Sequence, residues 1–338
     1  MAHRLMSATR YLLRSLWLSG IFLMPMMLPS VMAESCADAR VISYFGYQHA
    51  IELCNSDFRV VLCPEVGGRI LEYSYRGTNV LFLSVEDKEW RPGASPPSSA
   101  GRFDIGPELT IPEHLVLWSG TWTGEITGPR SARMTSQPDS ATGVQLVREF
   151  ELSPTSSQLR CRQTIVNVSD AAREWCHWSR TFVAGGGICL IPATRPSRFP
   201  VGYVMYEEGG LINFRPDDPR IRLRHGVFEI LGAPRKPKLG FDSAAGLMAY
   251  LAPGNLLFVK RFTVDRDRVY NEAAGLTISV WYPERDMVEL EPIGPREHLL
   301  PGESASFTEE WWLAPFPFPA APESLNTAEV RKVMDQLQ

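Results

Sequence analysis

The 338-residue sequence predicts an all-β protein: one large sandwich of antiparallel strands, closed by a short C-terminal helix. Three observations carry this. Short segments such as GVQLVREFELS, LRCRQTIVNVS and NLLFVKRFTV alternate apolar with polar residues at period two, the pattern of half-buried strands. Gly, Pro, Asn and Asp recur between these segments at the spacing of turns. Helical periodicity is missing until TAEVRKVMDQLQ at the C-terminus. The strands are spaced evenly enough to favour a single domain over residues 34–338.

Ahead of that domain lies a different kind of segment. Basic residues (His3, Arg4, Arg10, Arg14) precede the apolar run LWLSGIFLMPMMLPSVMA, which is broken by Pro25 and Pro29. Small residues at Val31 and Ala33 flank Met32, so residues 1–33 read as a signal peptide cleaved after Ala33. A retained N-terminal anchor is the alternative. The product is expected to be secreted or periplasmic, with no membrane span after cleavage. All six cysteines (36, 54, 63, 161, 176, 189) follow the cleavage point. Export permits disulfides, although six buried thiols fit the same spacing. With 34 Lys and Arg against 38 Asp and Glu, the net charge is −4, without the basic footprint of a nucleic-acid binder. Asn167-Val168-Ser169 forms a glycosylation sequon.

Sequence-local catalytic motifs are missing. There is no HExxH, GxSxG or P-loop, and the glycine run 185–187 lacks a strand-to-helix setting. Neither a cofactor nor a metal site is expected. Any site must therefore assemble from distant strands. The densest candidate is GRFDIGPELTIPEHLVLWSGTW (101–122), which carries Arg102, Asp104, Glu108, His114, Trp118 and Trp122. Sugars stack their apolar faces on tryptophan and offer hydroxyls to carboxylates and guanidinium groups, so this mixture suits a carbohydrate partner. Taken singly, each residue also fits core packing or surface solvation. Just before it, the Pro- and Ser-rich loop WRPGASPPSSAG (90–101) reads as a mobile flap or rim.

Two strands carry further titratable groups. In EWCHWSRTF, alternation puts Trp175, His177, Ser179 and Thr181 on one face, and Cys176, Trp178, Arg180 and Phe182 on a more apolar one. A strand histidine is commonly a satisfied polar group, but it is also the usual acid or base near neutral pH. In DMVELEPIGP, Glu289 and Glu291 share a face; in a pocket, such crowding raises at least one pKa.

These pieces resemble a known arrangement. VGGRILEYSYRGTNVLF (66–82), HWSRTF (177–182) and VELEPIGPREHLLPGESASFTEEWWL (288–313) are similar, in order and spacing, to segments of the aldose 1-epimerase (galactose mutarotase) superfamily. The nearer likeness is to its secreted, mutarotase-like branch. The resemblance implies a galactose mutarotase-like β-supersandwich with a concave sugar site, in which His177 is the general acid and Glu291 the general base of anomer interconversion. It further implies sugar contacts from Arg69, Arg102, Asp104, Glu108, Trp118, Trp122 and Arg180, and a mono- or oligosaccharide partner. The aromatic turn ending in asparagine that follows the family's histidine is here Trp-Ser-Arg-Thr-Phe. That departure leaves a non-catalytic carbohydrate-binding protein, and less directly a glycan lyase or hydrolase, as alternatives on the same fold.

Overall fold

The computed structural model describes residues 38–337. The signal-peptide reading and Cys36 lie outside them. Two large sheets, antiparallel throughout, account for the described chain. In order across the first sheet lie Arg40–Tyr44, Tyr47–Cys54, Phe58–Cys63, Arg69–Tyr75, Gly101–Gly106, Arg173–Ala184, Met287–Leu299, Ile278–Trp281, Lys238–Phe241, Val204–Tyr206 and Ile212–Asn213; Thr78–Asn79 pairs alongside Arg69–Tyr75. The second sheet runs Ile221–Arg224, Val227–Ile230, Ile188–Pro192, Leu247–Ala252, Leu256–Phe262, Ser304–Pro315, Leu159–Asn167, Val144–Leu152, Ser131–Thr135 and Thr123–Gly128.

The main core lies between the sheets and follows from the period-two pattern. Leu146 and Phe150 of one strand, and Leu159, Cys161 and Ile165 of its neighbour, face Phe103, Ile105, Val288 and Leu290 of the first sheet. A polar cluster is sealed among them. Lys260, fully buried, pairs with Glu309 at 2.9 Å and donates to the hydroxyls of Ser179 and Thr181, each at 2.9 Å. Glu309 also accepts from Gln163 and Trp311. Every oxygen of this carboxylate thus has a donor, which is the condition under which a buried ion pair is tolerated.

The outer face of each sheet is covered in part. Helix Thr327–Gln336 lays Val330 and Met334 on a cluster that includes Leu247, Leu257 and Trp312 of the second sheet. Asn326 caps its N-terminus by accepting from the Glu329 amide, and Arg261 donates to the carbonyls of Met334 and Leu337 at the other end. On the first sheet, one cluster gathers Tyr47, Val61, Leu71 and Trp90, and another gathers Trp178, Phe199, Leu276 and Ile293. The pocket described next lies on this outer face.

Two features of the sequence take structural roles. Asn167 is fully buried, and its amide donates to the carbonyls of Ala171 and Leu299, so in the folded chain the sequon's amide is engaged in folding contacts. Cys54 is disulfide-bonded, whereas Cys63, Cys161, Cys176 and Cys189 are free and buried.

Candidate functional site: a pocket on the outer face of the first sheet

Strand register builds the floor. Arg102, Arg180, Glu291 and Ser279 stand opposite one another across four neighbouring strands. Phe182, Glu289, Trp281 and Lys238 form the next row. Their neighbours Thr181, Leu290 and Val280 point inward to the core, so alternation sends both rows outward. Above them is a pocket of about 790 Å³, walled by residues 95–99, Trp118, Glu108, Trp281, Arg285 and Met287.

Arg180 is the hub of the floor. Its Nε donates to Glu289 at 2.7 Å, and its guanidinium lies 3.6 Å from Asp104 and 3.9 Å from Glu291. The rings of Trp118 and Trp178 lie 5.0 and 5.5 Å from it. Lys238 binds both oxygens of Glu291, at 2.9 and 3.1 Å, and reaches Glu108 at 3.6 Å. The carboxylate pair is thereby split. For Glu291, burial favours the neutral acid, but Lys238 and Arg180 outweigh it and hold the pKa below the usual range. For Glu289, burial dominates, Arg180 opposes it, the charge on Glu291 adds to it, and the pKa is raised to about 7. One carboxyl stays ionised beside another that holds a proton toward neutral pH.

The walls are fixed by two arginines that the pocket never sees. Arg69, fully buried, donates to Asp87 at 2.7 Å, to the Ser99 carbonyl at 3.2 Å and to the Tyr47 hydroxyl at 2.7 Å. Arg102, 1% exposed, donates to the carbonyls of Pro97 and Trp118, with its guanidinium 4.2 Å from the centre of the Trp118 ring. The Pro- and Ser-rich loop and the 107–122 segment are therefore tied to the same side chain. Loop 90–101 is a tethered wall and no free flap. Burial, with Arg69 adding to it, pushes the Arg102 pKa well down. Gly67 (φ +65) and Gly68 (φ +54) permit this closeness: a Cβ on Gly67 would strike the Trp118 carbonyl at 2.2 Å, and one on Gly68 the Trp122 ring at 2.5 Å.

The structure brings Arg180, Trp118, Asp104, Glu108 and Glu291 to this pocket or its floor, and it places the other residues elsewhere. His177 requires the main correction. It points between the sheets, 1% exposed, with its ring stacked 5.8 Å from both Phe103 and Phe307. Nε2 donates to the Ala305 carbonyl at 3.1 Å, and Nδ1 has no partner. Burial lowers its pKa to about 4. His177 and Glu291 therefore lie on opposite faces of the sheet and cannot flank one sugar ring. The face that looked more apolar, with Trp178, Arg180 and Phe182, is the one that meets the pocket. Arg69 and Arg102 hold the walls, with no sugar-facing role, and Trp122 is buried, its Nε1 donating to the Leu117 carbonyl.

Lys238, Trp281 and Glu289 join the site beyond the sugar contacts that the resemblance implies, and His114, part of the densest sequence cluster, gains a defined role. The Glu289–Glu291 face was visible as a pair, whereas Lys238 in RKPKLGF carries no local signal. His114 is part-buried: Nε2 meets Asp104 and Nδ1 the Pro112 carbonyl, each at 2.7 Å. Burial works against protonation, but the Asp104 hydrogen bond and charge win, and the pKa is raised. With an acceptor at each nitrogen, His114 serves to orient Asp104. Among the described residues, no group of three or more His, Cys, Asp or Glu is placed to hold a metal ion. No described helix is long and apolar enough to cross a membrane.

Comparison with known proteins bears on the fold. No family profile matches the chain, and no curated protein does. Solved structures do. A galactose mutarotase-like protein from Lactobacillus casei superposes with a TM-score of 0.56 at 11% identity, over 78% of this chain and 100% of that one. The chain has the galactose mutarotase-like fold. A galactose mutarotase-like protein from Clostridium acetobutylicum gives 0.56 at 12% identity, over 83% and 99% of the two chains. The Slr1438 protein from Synechocystis gives 0.56 at 16%, over 82% and 99%. At these identities the likeness describes architecture, and the chemistry has to be argued from this chain's own pocket.

Proposed function

We propose that this mutarotase-like protein binds carbohydrate in the outer-face pocket. One observation carries the reading: aromatic rings (Trp118, Trp281, Phe182) and hydrogen-bonding charges (Arg180, Lys238, Glu289) converge on one cavity of about 790 Å³. Rings take the apolar face of a sugar, and the charged groups take its hydroxyls. Because the floor cations already neutralise the carboxylates, hydroxyl exchange need not leave a buried charge unpaired. The test is saturation-transfer NMR of residues 34–338 against free aldoses, amino sugars and uronic acids. Transfer from pocket aromatics supports binding; silence across the panel defeats it.

A second reading is favoured by the split carboxylate pair. Glu289, which lines the pocket and is protonated toward neutral pH, donates to the ring oxygen while the anomeric hydroxyl gives its proton to water. The ring opens and recloses as the other anomer. Ionised Glu291, buried beneath Lys238, helps keep the proton on Glu289. Glu289 takes the acid role that His177 cannot fill. Anomer exchange by NMR checks it, since Glu289→Gln must abolish any acceleration. For location, we read residues 1–33 as a signal peptide and 34–338 as one exported domain of the secreted, mutarotase-like branch. The disulfide at Cys54 supports an oxidising compartment. Mass spectrometry of the mature N-terminus, expected to start at Glu34, tests this assignment.

A further inference from the structure

The geometry points to an oligosaccharide, and not a free monosaccharide, as the occupant of the pocket. This rests on the carbohydrate reading above and deepens it. A hexose takes up the space of about six waters, roughly 180 Å³ at ~30 Å³ per water. The pocket, at about 790 Å³, has room for several such rings. A site shaped for one ring closes around it, because a small polar ligand gains affinity only where its surface is buried.

The floor is also elongated. Phe182, Glu289, Trp281 and Lys238 stand side by side on successive strands. Three inter-strand steps of ~4.8 Å make this row about 14 Å long. Stacking surfaces lie toward both ends. Trp118 stands over Arg180 near the Gly101–Gly106 side, and Trp281 lies two strands further on, with the Arg285 guanidinium 5.9 Å from its ring centre. Both tryptophans are partly exposed and line the pocket. Two platforms, separated by the Arg180–Glu289 contact, offer stacking to two different rings of one chain. Between them, the ion-paired floor supplies acceptors and donors for the linking residues.

The test is isothermal titration of the mature protein with glucose, galactose, N-acetylglucosamine and galacturonate, and with the 1,4-linked di-, tri- and tetrasaccharides of each. We expect at least one series in which the trisaccharide binds about 10-fold or more tightly than its monosaccharide. In that series, Trp281→Ala, and to a lesser degree Trp281→Phe, reduces the ratio, with thermal melts confirming that both variants fold. Equal affinity for a monosaccharide and its oligomers overturns this inference and leaves the carbohydrate reading standing. No heat from any member of the panel overturns both.

Discussion

His177 offers a demanding test of the site assignment, because a core histidine and a catalytic one respond to pH and substitution in opposite ways. Its ordinary pKa of 6.5 is lowered to about 4 by burial between Phe103 and Phe307. Above pH 6.5 both folded and unfolded chains hold the ring neutral, and it adds no pH dependence. Between 6.5 and about 4 the unfolded chain binds a proton that the folded chain refuses. Stability therefore falls as the pH falls through this window, by ~3 kcal/mol at about 1.4 kcal/mol per unit. His177→Leu removes the titration. It gives up one hydrogen bond to Ala305 and the partnerless Nδ1, and gains apolar contact, so its stability at pH 7.5 should stay within ~1 kcal/mol of the parent. At pH 4.5 the variant should be the more stable by about 2–3 kcal/mol. Urea unfolding of both proteins at the two pH values measures the difference. Equal losses on acidification would refute the buried, neutral histidine and reopen a role for it in the pocket.

Glu289 works with the opposite sign: its folded pKa is raised from 4.5 to about 7, so its contribution is present below 4.5 and lost as pH rises through about 7, and Glu289→Gln should flatten stability between pH 5 and 8 in thermal melts. Lys260→Met strands the buried Glu309 carboxylate and should cost about 3–5 kcal/mol in urea unfolding, while the double change Lys260→Met/Glu309→Leu should cost less than the single one. Arg102→Met releases the carbonyls of Pro97 and Trp118 together. It should cost about 2–4 kcal/mol and shift tryptophan emission to the red as Trp118 meets water, a change read directly by fluorescence.

The sandwich was legible because strand alternation reports burial on one face, and the inward residues of VQLVREFEL and LRCRQTIVN are the ones that alternation selects. The C-terminal helix was legible from its apolar spacing, Val330 and Met334 being four residues apart on one buried side. The site was legible only in part. Alternation sorted EWCHWSRTF into its two faces, but it gave no means of telling which face met solvent. The more apolar face proved to be the pocket side, since Trp178 packs beneath Lys238 and Arg180, and the polar face is internal because Lys260 and Glu309 satisfy it. Buried polar networks invert the usual reading of polarity as exposure. Arg69 and Arg102 were misassigned for the same reason: a guanidinium that ties loops together is chemically indistinguishable, in sequence, from one that binds a ligand. Lys238 comes from a strand far along the chain, and only register places it beside Glu291.

The proposed carbohydrate site lies on the outer face of the first sheet, over Arg180 and Trp118, away from the histidine between the sheets. Saturation-transfer NMR with the best-binding glycan, applied to the parent, Arg180→Met, Trp118→Ala and His177→Leu, tests it most directly. Transfer is expected in the parent and in His177→Leu, and its loss in the other two. Retention in Trp118→Ala and Arg180→Met, with loss in a folded His177→Leu, would contradict it.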